Sequence, residues 1–435
     1  MSLVWLRSNT PWQGIVLAAF LALPPGARTC AGEPLPAYNA DIAQTSVSGV
    51  SSGAFMAVQF GLAWSSLVIG VGAVAGGPFG CSEGSGAAAL STCMSGQPAP
   101  DLPDLIRRTD AWSTSGAIDD TANVARQHIY LFSGYNDNVV ARRVVDSLQA
   151  FYAHYLRSER LGNLFYQTTI GAGHALVTVA YGGHCASNGG EYINRCGYDQ
   201  AGIILQHIYG ALSSPRSGPL SGRLIAFDQD ELTVSRQPAD DSLDDRGFVY
   251  VPASCASQEP CRVHVVFHGC LQSFGNVGED FVMHAGYNEW ADTNRIIVLY
   301  PQIRAIGLTA AGIINPQACW DWWGYLDADP MTSPHYLLKS GRQISAIKAM
   351  IDRLAGAATK RAAQATMVPG APFVLRAADA SDHAIDLVWS AVPDATGYAV
   401  SRAGPDDADP RRIATVAGLI PEALSVDVCP SARSD

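Results

Sequence analysis

Four short segments hold residue types that could do chemistry together. Gly49-Val50-Ser51-Ser52-Gly53 sets a serine between two glycines, Asp137 closes Ser133-Gly134-Tyr135-Asn136-Asp137, and His174 lies in Gly171-Ala172-Gly173-His174-Ala175. A serine hydroxyl is a weak nucleophile until a neighbouring base takes its proton, and that base needs a carboxylate to orient it. Ser51, Asp137 and His174 would supply all three roles. The fourth segment, His268-Gly269-Cys270, ends the apolar run Val263–Phe267. Backbone N–H groups of Ser52, just after the serine, and of Cys270 could stabilise the oxyanion that forms when an acyl carbon is attacked.

Each of these residues has rivals. Gly80-Cys81-Ser82-Glu83-Gly84 repeats the G-x-S-x-G spacing. Ser51 is preferred because a predicted strand precedes it and a predicted helix follows, as a strained nucleophile elbow requires. Ser82 sits in a glycine-rich loop beside a cysteine and reads as a chance match. His184 lies next to Cys185 in a loop that a disulfide would close, and the ring of His268 is expected to brace its own turn. Asp137 could instead cap the helix that follows it. Trp320, Trp322 and Trp323 are either core residues or, if exposed at the mouth of a site, a surface for an apolar polymer or acyl chain.

The elements that must position these residues alternate. Residues 45–50, 68–74, 129–132, 164–168, 223–227, 247–251, 263–267 and 296–300 are apolar and predict strands; residues 54–67, 142–156, 202–209, 279–293 and 336–354 have helical periodicity. Such alternation predicts an α/β fold with a mostly parallel sheet covered on both faces. In an α/β-hydrolase the His-Gly segment normally precedes the serine elbow. Here it comes more than 200 residues after it, so the sheet is expected to be assembled in a rotated, circularly permuted chain order.

Composition narrows the setting. The chain has 435 residues, a net charge of −11 and no cluster of Lys and Arg, which argues against a nucleic-acid partner. Arg7 followed by the apolar run 14–23 and small residues reads as a secretory signal over residues 1–31, too short to span a bilayer. Ten cysteines with no C-x-x-C pair fit an oxidising, extracellular compartment. Neighbours in sequence suggest Cys81–Cys93, Cys185–Cys196 and Cys255–Cys261, leaving Cys270 and Cys319 to pair across a longer loop. Cys30 would leave with the signal, and Cys429 is unassigned. The character changes from about Pro369: residues 377–398 alternate apolar and polar positions in a fibronectin type III-like pattern, but residues 369–435 are too few for a full sandwich; a truncated module is expected.

The shared stretches SVSGVSSGAFMAVQF, AVAGGPFGC, LFSGYNDNVV, GAGHALVT, HVVFHGCLQS, GYNEWAD, IIVLYPQ and CWDWWGY together resemble the extracellular poly(3-hydroxybutyrate) depolymerases with a circularly permuted α/β-hydrolase domain. The resemblance covers about residues 38–355, and the catalytic domain is expected over 38–357. It departs at Val177, where that family commonly has proline. It implies Ser51 as nucleophile, Asp137 and His174 as its partners, Ser52 and Cys270 as oxyanion donors, and Trp320 near the bound polyester chain. The implied products are 3-hydroxybutyrate monomers and short oligomers, with no metal or cofactor. The expected partner is the polyester, the chain being monomeric and without a membrane span. The competing readings are a soluble short-acyl or carbohydrate esterase with the same machinery, and an adhesion protein built on an inactive hydrolase scaffold.

Overall fold

The computed structural model describes residues 33–233, 241–256, 260–308 and 313–356, together with the backbone of four strands between 375 and 417. The expected signal segment, Cys30 and Cys429 lie outside the described residues. The chain divides into two compact units, of which Ala31–Thr359 holds all the candidate site residues.

This unit is organised by a nine-stranded sheet. In chain order its strands are β1 (Glu33–Pro34), β2 (Asp41–Val50), β3 (Val68–Val74), β4 (His128–Phe132) and β5 (Leu164–Gln167). The short strands β6 (Leu176–Thr178), β7 (Gly183–His184) and β8 (Ile193–Arg195) form a separate three-stranded sheet. The main sheet then continues with β9 (Arg223–Asp228), β10 (Arg246–Val251), β11 (Arg262–Phe267) and β12 (Ile296–Tyr300). Across the sheet the order is β1-β9-β10-β12-β11-β2-β3-β4-β5. From β12 to β5 every neighbouring pair is parallel, whereas β10 runs antiparallel to both β9 and β12. Counted from β9 onward and continued through β2, the eight strands read 1-2-4-3-5-6-7-8. One cut and one join therefore restore a nearly sequential hydrolase sheet, which is the rotated order that the position of His268 requires.

The strands are apolar on both sides because helices cover both faces. Successive residues alternate between the two cores: Ile297 and Leu299 of β12 point to one, Val298 and Tyr300 to the other. The first core takes the helices Ser52–Ala63, Arg142–Arg160 and Arg342–Ala355; the second takes Gln200–Tyr209 and Tyr287–Asn294. Three details differ from the sequence reading. The helix expected over 279–293 is two pieces, Asp280–His284 and Tyr287–Asn294, because Gly286 takes a left-handed φ of 85°. The helix expected over 336–354 begins at Arg342, after a separate 3₁₀ turn, His335–Leu337. The glycine-rich loop after β3 contains the helical segments Gly86–Leu90 and Ser91–Ser95, started by the Ser85 hydroxyl accepting from the Ala88 N–H.

In the second unit, Leu375–Ser381 pairs antiparallel with Ala384–Trp389, and Gly397–Arg402 with Arg411–Ala417. The rest of the expected fibronectin-like segment lies outside the described residues.

Candidate active site

Ser51 follows β2 directly and begins the helix Ser52–Ala63 with φ 56° and ψ −123°. A left-handed backbone at a non-glycine residue is strained, and here it turns the chain from strand to helix with the serine at the apex. The flanking glycines are required by close approach. A Cβ on Gly49 would lie 2.3 Å from the Gly53 carbonyl oxygen, and one on Gly53 would lie 2.3 Å from that of Phe267.

The carboxyl ends of the parallel strands share one edge of the sheet, where α/β folds place their reactive groups. Backbone bonds connect them stepwise: Ser51 N–H donates to Val74 O (2.9 Å), Ala75 N–H to Phe132 O (2.9 Å) and Ser133 N–H to Gln167 O (3.0 Å). Asp137 lies beyond β4 and His174 beyond β5. The His174 Nδ1 and Asp137 Oδ2 are 2.9 Å apart, with side-chain exposures of 5% and 2%. The second carboxylate oxygen accepts the N–H groups of Val139 and Val140, each at 2.9 Å. These two donors and the ring use both oxygens and fix the carboxylate plane, leaving His174 Nε2 available to act as a base.

The turn after β11 approaches the serine from the other side. A Cβ on Gly269 would lie 3.3 Å from Ser51 Cβ. Its neighbours are tied down: Gly269 N–H donates to Gln272 Oε1 (2.7 Å), Leu271 N–H to Gln317 O (2.7 Å) and Gln272 N–H to Gly269 O (3.3 Å). Among the described residues, the N–H groups of Ser52 and Cys270 donate to no protein acceptor. Cys270 is bonded to Cys319, which joins this turn to the tryptophan-rich loop.

Ser51, His174, Tyr192 and Gly269–Gln272 line one cavity of about 570 Å³. Phe55, Leu90, Met94, Trp322 and Trp323 form its apolar wall, and among the described residues no Asp, Glu, Lys or Arg lines it. Phe55 stacks on Trp322 with centroids 4.1 Å apart. Ser51 Oγ makes no hydrogen bond to the His174 ring among the described residues. Such contacts tighten in many enzymes only when substrate arrives.

A poly(3-hydroxybutyrate) depolymerase of Delftia acidovorans is 39% identical over 372 residues, covering 85% of this chain and 71% of the relative. The chain belongs to the poly(3-hydroxybutyrate) depolymerase family. A polyhydroxybutyrate depolymerase of Talaromyces funiculosus is 37% identical over 72% of this chain and 91% of its own length. Two solved structures share 33% identity over 74% of this chain and 98% of theirs: a PHB depolymerase serine-to-alanine variant complexed with an R3HB trimer (TM-score 0.66) and the PHB depolymerase from Penicillium funiculosum (TM-score 0.65). No protein-family model matches the chain.

Within this depolymerase fold the rival residues have other work. Ser82 is fully buried, with its hydroxyl donating to Trp322 O at 2.8 Å. His184 is exposed. His268 is fully buried, with Nδ1 2.7 Å from Gly269 O and Nε2 accepting from the Ile303 N–H at 3.1 Å. Burial pulls its pKa down to about 4, against a smaller opposing effect of the Gly269 bond, so it stays neutral. The four expected disulfides are formed: Cys81–Cys93, Cys185–Cys196, Cys255–Cys261 and Cys270–Cys319.

The expectation for Trp320 needs correction. Its side chain is fully buried, packed on Phe267 and His268, and its indole N–H donates to His268 O at 3.0 Å. It supports the Gly269–Cys270 turn from behind, while Trp322 and Trp323 line the cavity. The sequence reading missed two amides. Asn188 accepts from the backbone N–H groups of both His174 (2.8 Å) and Asn138 (3.1 Å), and Gln272 bridges the Gly269–Cys270 turn to Tyr192. Neither carries a local signal, since their partners lie up to 81 residues away. Among the described residues no helix is long and apolar enough to cross a membrane, and no group of three or more His, Cys, Asp or Glu side chains could hold a metal ion.

Proposed function

We propose that Ser51, His174 and Asp137 form the catalytic triad with which this enzyme, a serine hydrolase, hydrolyses poly(3-hydroxybutyrate). His174 Nε2 takes the proton of Ser51 as Oγ attacks an ester carbonyl, and Asp137 stabilises the imidazolium that results. The N–H groups of Ser52 and Cys270 receive the oxyanion. Collapse expels the alcohol end of the polyester chain, protonated by His174, and leaves an acyl-enzyme on Ser51. Water activated by the same ring then releases the hydroxyacid as a monomer or short oligomer.

The observation that carries this reading is the 2.9 Å bond between Asp137 and His174, with the ring opening onto the cavity that also holds Ser51 and Cys270. The wall suits the substrate: a neutral polyester of short repeating units is matched by apolar and aromatic side chains, without charged groups to desolvate. The four disulfides favour an oxidising setting, and we propose that the enzyme acts outside the cell, as a monomer, on polymer too large to be taken up. Its negative charge favours no nucleic-acid partner.

The test is clearing of suspended amorphous and crystalline poly(3-hydroxybutyrate) by the native enzyme and by Ser51→Ala. Clearing is expected from the native enzyme and none from the variant. Cleavage of p-nitrophenyl butyrate without clearing of either suspension would instead support the short-acyl esterase reading.

A further inference from the structure

The position of the Cys270 N–H depends on one buried amide that takes no part in the chemistry. The peptide between Gly269 and Cys270 is planar, so its N–H points opposite to the Gly269 carbonyl. That carbonyl is held by His268 Nδ1 at 2.7 Å and by the Gln272 N–H at 3.3 Å. The preceding peptide is held by its own N–H, which donates to Gln272 Oε1 at 2.7 Å. Gln272 therefore grips the turn twice, once with its backbone and once with its side chain. The grip also holds a strained conformation, since Leu271 between them has a φ of 61°.

The other end of the same amide reaches the base side of the site. Gln272 Nε2 donates to Glu191 O (2.9 Å) and Tyr192 O (3.0 Å). These residues belong to the loop closed by Cys185–Cys196. Tyr192 has a left-handed φ of 53°, and its ring meets His174 edge to face at 6.1 Å. The same loop touches the base turn again where Gly173 N–H donates to Cys185 O at 2.8 Å and His174 N–H to Asn188. Gln272 is 1% exposed, with donor and acceptor ends both satisfied. A buried amide used in this way fixes geometry, because any displacement leaves polar groups unpaired.

We propose that Gln272 is a positioning residue that sets the oxyanion donor at Cys270 relative to His174, through the Cys185–Cys196 loop. The proposal rests on the triad and oxyanion assignments made above. Leucine at 272 would fill similar space but release the Gly269 N–H and both carbonyls. Glutamate would keep the acceptor and, while ionised, would lose the donor; protonation would restore it.

The experiment compares native enzyme, Gln272→Leu, Gln272→Glu and Ser51→Ala on p-nitrophenyl butyrate, with butylboronic acid as a tetrahedral mimic. Loss of a whole oxyanion donor typically costs about 10²–10³-fold in kcat. A misaligned donor should therefore lower kcat of Gln272→Leu by about 10- to 100-fold, with KM changed less than about threefold and the boronate Ki raised in parallel with the kcat loss. The kcat of Gln272→Glu, taken as a ratio to the native enzyme at each pH, should rise as pH falls. A folded Gln272→Leu with native kcat and native boronate affinity would overturn the proposal. Should Gln272→Leu fail to fold, a flat pH ratio for Gln272→Glu would do so. Retained activity in Ser51→Ala would overturn the underlying triad instead, so the two failures are distinguishable.

Discussion

The carbonyl oxygen of Phe267 faces the α-carbon of Gly53 so closely that a Cβ there would sit 2.3 Å away, and the carbonyl of His268 would be at 2.4 Å. The serine elbow and the strand that leads to the Gly269–Cys270 turn are therefore in direct backbone contact. No flexible side chain can yield at that point. Gly53→Ala must move either β11 or the elbow helix, at an expected cost of about 2 kcal/mol or more. Hydrolysis of p-nitrophenyl butyrate should be largely lost even in the fraction that folds. Gly162→Ala is the matched control, because a Cβ there meets nothing within 4 Å. Thermal melting and kcat of both variants check this, and a native-like Gly53→Ala would refute the contact.

Asp137→Asn should separate orientation from folding. An amide can still accept the Val139 and Val140 N–H groups through one oxygen. Its NH₂ would face His174 Nδ1 and force the ring into the tautomer that carries hydrogen on Nε2. That tautomer cannot accept the proton of Ser51. A fall of about 10⁴-fold in kcat is expected, with the melting temperature changed by only a few degrees. An activity loss below about tenfold would remove Asp137 from the triad.

Buried histidines should shape the acid stability of the enzyme. Burial lowers the pKa of His264 to about 3, between the hydroxyls of Ser46 and Ser48, and that of His268 to about 4. The unfolded chain takes up these protons near pH 6.5. Between pH 6.5 and those lower values the unfolded state binds more protons, so stability falls as pH is lowered through this window. Above pH 6.5 neither group contributes. His268→Gln can still donate to Gly269 O and accept from Ile303. It should remove up to about 3 kcal/mol of the loss between pH 7.5 and 4. Urea midpoints of both proteins across that range provide the measurement, and parallel curves would contradict the assignment.

Much of the fold was legible because its signals are local. Apolar β-branched runs at Val68–Val74, Val263–Phe267 and Ile296–Tyr300 read directly as buried strands, and the late position of His268 announced the rotated chain order. Asp137 and His174 were reachable as loop residues after predicted strands, and the structure brings their side chains to 2.9 Å. Long-range packing was not legible. Nothing in Cys319-Trp320-Asp321-Trp322-Trp323 tells which indole turns inward, because that depends on Phe267 and His268, more than 50 residues earlier. The same holds for Gln272 and Asn188, whose amides bond backbone atoms of distant loops. The helix break at Gly286 was missed because the apolar pattern continues across it, whereas the backbone there is left-handed.

The tryptophans should divide into a structural and a substrate-facing class. Trp320 is fully buried with its only donor on His268 O, so Trp320→Ala leaves a large cavity and an unpaired carbonyl behind the proposed oxyanion turn. A loss of about 3–5 kcal/mol is expected, with kcat falling on every ester, short or long. Trp323 is half-buried at the cavity wall, against Trp322 and Tyr325. Trp323→Ala should leave the melting temperature within a few degrees and spare p-nitrophenyl acetate, which is too small to reach along the wall. For trimeric and longer 3-hydroxybutyrate oligomers it should raise KM by about 10-fold, the size of effect expected when one apolar contact of roughly 1–2 kcal/mol is lost. Melting curves and KM values for acetate ester and trimer, measured on both variants, decide the matter. If Trp320→Ala raised the trimer KM without changing stability, Trp320 would belong to the binding surface after all.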